Sequence, residues 1–191
     1  VFACARDGAA RLIHAGAQLP AGEDLAALDT AGARGRHENQ PDAPPVAGLL
    51  PEAKHGLMTS PALVLRRDGA RLATDLRLAR WEATNEALTL TLRDEAAQIE
   101  AVLHWQIGAG DVVRCHTVLT NHGTAPIEIE QLASLALPVP ARFTECTSYA
   151  GRWASEVHEH RRAIAPDGLH RESRGGKPGF DGGNWLLLHG P

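Results

Sequence analysis

Ala87-Leu-Thr-Leu-Thr-Leu-Arg93 decides the fold class. Leu88, Leu90 and Leu92 alternate with Thr89, Thr91 and Arg93, a period of two that fits a strand with one apolar and one wet face. Asp94-Glu95 punctuates it. Ile99, Ala101, Leu103, Trp105 and Ile107 then share a face, with Glu100, His104 and Gln106 opposite. Gly108-Ala-Gly110 turns the chain into a strand within Asp111–Asn121. Asn121-His-Gly123 turns it again into one over Ile127–Leu137, closed by Pro138 and Pro140.

Upstream, Ala62–Arg66 reads as a strand, Arg67-Asp-Gly-Ala70 as its turn and Leu72–Trp81 as the strand that follows. Val1–Ala5 and Arg11–His14 read as strands split by the hairpin signal Asp7-Gly8. Residues 19–48 carry few large apolar side chains and read as a long irregular arm. A helical turn is expected there around Glu23–Leu28, and Pro41-Asp-Ala-Pro-Pro45 argues against regular structure. Turn signals recur roughly every 10 to 15 residues with no sustained helical period, the pattern of a large antiparallel sandwich. A (β/α)8 barrel needs repeated βα units, and none is present.

The 191 residues suit one domain, 1–191, with a core of its own. A net charge of −4 without a basic stripe gives nucleic acid binding no support. No apolar run approaches the ~18 residues of a membrane-spanning helix, so no membrane partner is expected. Cys4, Cys115 and Cys146 are odd in number and widely spaced, which disfavours a disulfide framework and points to a reducing, cytoplasmic setting. Val1 and the closing Trp185-Leu-Leu-Leu188-His-Gly-Pro191 read as cut from a longer protein.

Paired carboxylates are the first catalytic candidates, because a retaining glycosidase needs a nucleophile and an acid/base across the scissile bond. Asp94/Glu95, Glu128/Glu130 and Glu156/Glu159 are the pairs, and each reads more simply as a strand end or a solvated sheet face. His158-Glu-His160 sets two imidazoles on one side of a strand, one or two ligands short of a metal site. His55, His104 and His116 read as surface or satisfied sheet residues. Ser155 and Ser173 lack the context of a nucleophile elbow. The Gly175–Gly183 stretch lacks the Gly-Lys-Ser/Thr ending of a phosphate loop and reads as a surface loop. Among the tryptophans, Trp105 belongs to the core, Trp81 ends a strand, and Trp153 and Trp185 flank turn or loop residues where sugars stack.

The tract Tyr149-Ala-Gly-Arg-Trp-Ala-Ser-Glu156, then Arg161-Arg162 and Ser173-Arg-Gly-Gly176, resembles the close of the N-terminal domain of bacterial family 36 α-galactosidases. Ser60-Pro-Ala-Leu63, Asp111-Val-Val-Arg114 with Leu119-Thr-Asn121, and Gln131-Leu-Ala-Ser134 through Leu137-Pro138 look like further segments of that family, in its order. The resemblance runs from about Pro51 to the end. It implies an all-β fold, a large antiparallel β-supersandwich of the galactose-mutarotase type, preceding a catalytic barrel and a small C-terminal β domain. It implies a parent that hydrolyses terminal α-galactosides with retention, using two barrel aspartates. No catalytic residue, metal or cofactor is therefore expected within 1–191, and the chain alone is expected to be inactive.

The expected partners are the protein's own catalytic barrel, further copies in a homo-oligomer, and a galacto-oligosaccharide at the domain rim. Trp185, Trp153, Asn184 and Asp181 are the substrate-binding candidates. The sequence departs from the family at Leu57-Met58-Thr59, where a charged or aromatic segment is usual. It departs again at Lys177–Trp185, where Asn184-Trp185 stands for Asn-Pro-Phe. Two rival readings are an aldose 1-epimerase-like enzyme using Glu156, His158 and His160, and a freestanding carbohydrate-binding module.

Overall fold

The computed structural model describes residues 2–4, 8–14, 18–32, 48–55, 60–137, 139–140, 142–165, 169–171 and 182–190. The Pro41–Pro45 tract, Leu57–Thr59, Ser173–Gly176 and the loop residues up to Asp181 lie outside them. The chain forms two compact units, Val1–Pro138 and Val139–Pro191.

In the first unit β1 (Phe2–Cys4) pairs with β2 (Ala10–Leu12), as expected of a hairpin. β3 (Leu63–Arg67) lies between β4 (Ala70–Arg71) and β9 (Glu128–Leu132). β5 (Arg77–Ala83), β6 (Ala87–Asp94), β7 (Ile99–Ile107) and β8 (Val113–Asn121) form a four-stranded meander in chain order. All these pairings are antiparallel. The β3–β4 turn is set by Asp68-Gly69, both at positive φ (51° and 78°), the conformation that the Asp-Gly signal favours.

The alternating Leu and Ile residues of β6 and β7 do what their period demands. Leu90, Leu92, Ile99, Ala101 and Leu103 are buried in one cluster with Leu49, Leu50, Leu63, Leu65 and Leu76. Each large side chain in that cluster contributes about 1.5–3 kcal/mol by leaving water. Thr91 departs from the expected wet face. It is buried, because Arg80 on β5 and Val102 on β7 flank it across the sheet.

Two expected strands are shorter than the sequence pattern suggests. Leu72–Trp81 splits, with 72–76 between β4 and β5. The N–H of Asp75 donates to Asp94 Oδ2 (2.7 Å), and that of Leu76 to both carboxylate oxygens of the buried Glu52 (3.2 and 3.1 Å). Side-chain carboxylates thus replace a ladder there. Ile127–Leu137 contracts to Glu128–Leu132. Beyond it Ala133 N–H donates to Ala62 O (2.8 Å) and the pairing stops.

Within the arm, α1 (Leu25–Gly32) is longer than the expected single turn. Asp24 Oδ1 accepts the N–H groups of Ala26 and Ala27 (3.0 Å each), an N-cap worth about 1 kcal/mol. Arg11 pairs with Asp29 at 2.8 Å and ties the helix to β2.

The second unit is one antiparallel sheet of β10 (Glu145–Arg152), β11 (Ser155–Ala163) and β12 (Gly182–His189), ordered β11-β10-β12. Cys146, Thr147 and Ser148 on the central strand are buried.

Candidate functional site

The family-like tract builds the β10–β11 hairpin. The turn is Trp153-Ala154, between Arg152 and its partner Ser155. Gly151 is not the turn residue the sequence suggests; it lies in β10, where the returning strand crosses against it. A Cβ at Gly151 meets Glu156 Cα and Ser155 O at 2.6 Å, so only glycine fits. Ala154 takes φ +60°, and the Glu156 carboxylate accepts its N–H at 3.0 Å. Val157 takes φ +61°, rare for a β-branched residue and strained by roughly 1–3 kcal/mol. Ser155 Oγ lies 2.7 Å from His158 Nε2. Gly151, Trp153 and Glu156 thus form one device that presents the indole of Trp153 at the hairpin tip, 74% exposed.

Trp185 lies on β12 and is 69% exposed. Leu186 pairs with Ser148 and Gly182 with Ala150, so Trp185 is level with the middle of β10, whereas Trp153 lies beyond its end. At about 3.3 Å per residue the two are roughly 13 Å apart along the sheet. The structure therefore sets them on one sheet but on different rows. Asn184 precedes Trp185 on β12, where the backbone alone is described, and Asp181 lies outside the described residues.

Three of the six candidate carboxylates, Asp94, Glu130 and Glu156, have other occupations. Asp94 is buried and accepts the N–H groups of Asp75 and Ala97. Glu130 pairs with Arg66 (2.5 Å) and Arg71 (3.2 Å), and the Arg66 hydrogen bond holds its carboxyl below the usual range. Glu156 holds the hairpin. Glu95, Glu128 and Glu159 are exposed. His158 and His160 line a shallow depression with Arg152, Ser155 and Glu159. Among the described residues no group of three or more His, Cys, Asp or Glu side chains is placed to hold a metal. Glu156, the base of the epimerase reading, accepts the Ala154 N–H of its own turn.

Some arrangements were not legible in the sequence. Asp75, with Arg77 and Lys54 as hydrogen-bonding partners, has its pKa drawn down to about 2. His104 and His116, far apart in the chain, stack at 4.6 Å between centroids because β7 and β8 pair them directly. Trp81, ambiguous in the sequence, is exposed, and Trp105 is half-buried against the core.

Comparison with known proteins places this architecture. The model of the glycosyl hydrolase family 36 N-terminal domain matches residues 8–191. The chain belongs to this family. An Escherichia coli alpha-galactosidase is 29% identical over 155 residues, covering 81% of the chain and 21% of that protein. The probable alpha-galactosidase G of Aspergillus terreus is 37% identical over 79 residues, covering 40% of the chain and 11% of that protein. Among solved structures, the Geobacillus stearothermophilus GH36 alpha-galactosidase AgaA, in complex with 1-deoxygalactonojirimycin, superposes with a TM-score of 0.80. It is 16% identical and covers 98% of the chain and 30% of its own, a likeness of fold. This family 36 N-terminal domain thus spans about a fifth of the length of the E. coli relative. Its fold class is the all-β antiparallel sandwich that the resemblance implied. No described helix is long and apolar enough to cross a membrane.

Proposed function

We propose that the chain is the non-catalytic N-terminal domain, 1–191, of a cytoplasmic retaining α-galactosidase, and that its second unit docks on the catalytic barrel. The observation that carries the docking role is the surface of Val139–Pro191. Trp153, Val157, Ile164, Trp185, Leu186 and Leu187 are all exposed, while Cys146 alone among that unit's described apolar residues is buried. Exposed apolar surface on this scale marks an interaction site. The relatives named alpha-galactosidase extend well beyond the matched region, which leaves length for a barrel. Asp94, Glu130 and Glu156, one of each candidate carboxylate pair, are engaged by neighbouring groups, which supports a nucleophile and acid/base that lie elsewhere.

The test compares the 191-residue chain with the full-length protein on a chromogenic α-galactoside. Turnover is expected from the full-length protein alone. Turnover by the short chain overturns the non-catalytic role.

Trp185, Trp153, Asn184 and Asp181 are proposed to approach a galacto-oligosaccharide at the rim of the barrel site, within a homo-oligomer. Exposed indoles at a hairpin tip and on a sheet suit stacking on sugar rings. Trp185→Ala and Trp153→Ala are expected to raise KM for raffinose more than for a small aryl galactoside. Equal effects on both substrates would remove these residues from the rim.

A further inference from the structure

We propose that the outer edge of β8 is an interface with a second copy of this chain, where two four-stranded meanders join across a two-fold axis into one continuous sheet. This assigns a surface to the homo-oligomer proposed above and rests on it. β8 ends the order β5-β6-β7-β8, so one of its edges faces away from β7. Every second residue of such a strand aims its N–H and C=O away from its neighbour. Among the described residues no backbone group outside the β7 ladder meets those of Val113–Asn121. A row of unpaired backbone groups is a template for another strand.

The two edges of the meander are built differently. On β5 the register with β6 shifts between Leu78 and Arg80, and Arg77, Arg80 and Glu82 stand exposed. Bulges and charges of this kind deter pairing. β8 keeps an unbroken register with β7 from Val113 to Asn121 and carries neither lysine nor proline. Its Val113 and Val118 are exposed. This difference selects the partner. β8 of one copy laid on β5 of the next would repeat without closing, and the bulged, charged β5 opposes it. β8 on β8 is isologous and closes after two copies. The strand also suits pairing with itself. With the axis at Thr117, its middle residue, Arg114 faces Thr120 of the second copy, His116 faces Val118, and Cys115 faces Leu119. No cation then lies opposite a cation, whereas an axis at Arg114 or His116 would set that side chain against its own copy.

The test uses the full-length protein. His116→Cys and Val118→Cys variants, with tags of different mass, are co-expressed and oxidised in air. Residues directly opposed across a strand pair have Cα atoms about 4.5–5.5 Å apart, within disulfide reach. A disulfide-linked dimer carrying both tags is therefore expected on non-reducing gels. Either variant alone sets its two cysteines about 8 Å apart across the axis, beyond that reach, and should link far less. Val118→Lys brings a charge opposite His116 of the second copy. It is expected to weaken the contact at least about tenfold in sedimentation analysis, with circular dichroism unchanged. Thr120→Lys, which faces Arg114, serves should the first variant misfold. A monomeric full-length protein overturns both this interface and the homo-oligomer. An oligomer in which the paired variants link no more than either alone overturns this interface and leaves the homo-oligomer standing, with another strand of the same polypeptide on the β8 edge.

Discussion

The two units solve the problem of burying a sheet differently. The first packs its meander against Leu49, Leu50, Leu63, Leu65 and Leu76, contributed by segments far away in the chain, and closes a core of its own. The second lays out a three-stranded sheet most of whose large described apolar residues are exposed, among them Trp153, Val157, Trp185, Leu186 and Leu187. The contrast teaches that strand content does not measure self-sufficiency. What matters is whether a second layer reaches the apolar face.

Six substitutions, arranged in four tests, break or sharpen this contrast. Leu103→Ala, in the filled core, is expected to destabilise the first unit by about 2–5 kcal/mol in urea unfolding. Leu187→Ala, its counterpart on the open sheet, is expected to cost no more than about 0.5 kcal/mol in the 191-residue chain. In the full-length protein the same change should cost several-fold more, if the barrel covers that surface; equal values in both would dismiss the docking.

Gly151→Ala is expected to cost more than about 2 kcal/mol, because backbone atoms at 2.6 Å cannot yield as a side-chain tip does. Gly69→Ala has open space and meets only the positive-φ penalty of about 1 kcal/mol. Amide exchange of β10 and β11 separates the two, since only the first should loosen the Trp153 hairpin.

Glu52→Gln is expected to cost about 1–3 kcal/mol at neutral pH, by weakening a buried acceptor for the Leu76 N–H. An unchanged midpoint would show that the stretch 73–76 holds without its carboxylate.

A small and pH-dependent effect is expected at Asp75. Its folded pKa, about 2, lies below the ordinary carboxyl value of 3.8, so its contribution is complete above about pH 4 and fades as pH falls through 2. The pairs with Arg77 and Lys54 are partly exposed, so Asp75→Asn should cost under about 1 kcal/mol at pH 7 and nothing near pH 1.5. A pH-independent difference would assign the loss to something other than charge.

Much of the fold was legible because its signals are local. The period of two in β6 and β7 is a property of consecutive residues, and Asp68-Gly69 sets its turn through its own φ preferences. The family-like tract was legible as a motif, but its roles were not. Gly151 looked like a turn residue, and only the crossing of Glu156 over its Cα shows why a side chain is excluded there. The rim candidates were legible as residue types. Their separation along the sheet follows from a β10–β12 register interrupted by a bulge, which no local pattern encodes.

The sequence by itself determined which segments are strands, which faces are apolar and which family the chain resembles, because those depend on spacing along the chain. Only the tertiary structure decided that Glu52 and Asp94 cap a stretch read as strand, that His104 stacks on His116, and that one end of an apolar face is packed while the other stands open. These depend on which distant residues arrive at the same place, and packing in three dimensions fixes that.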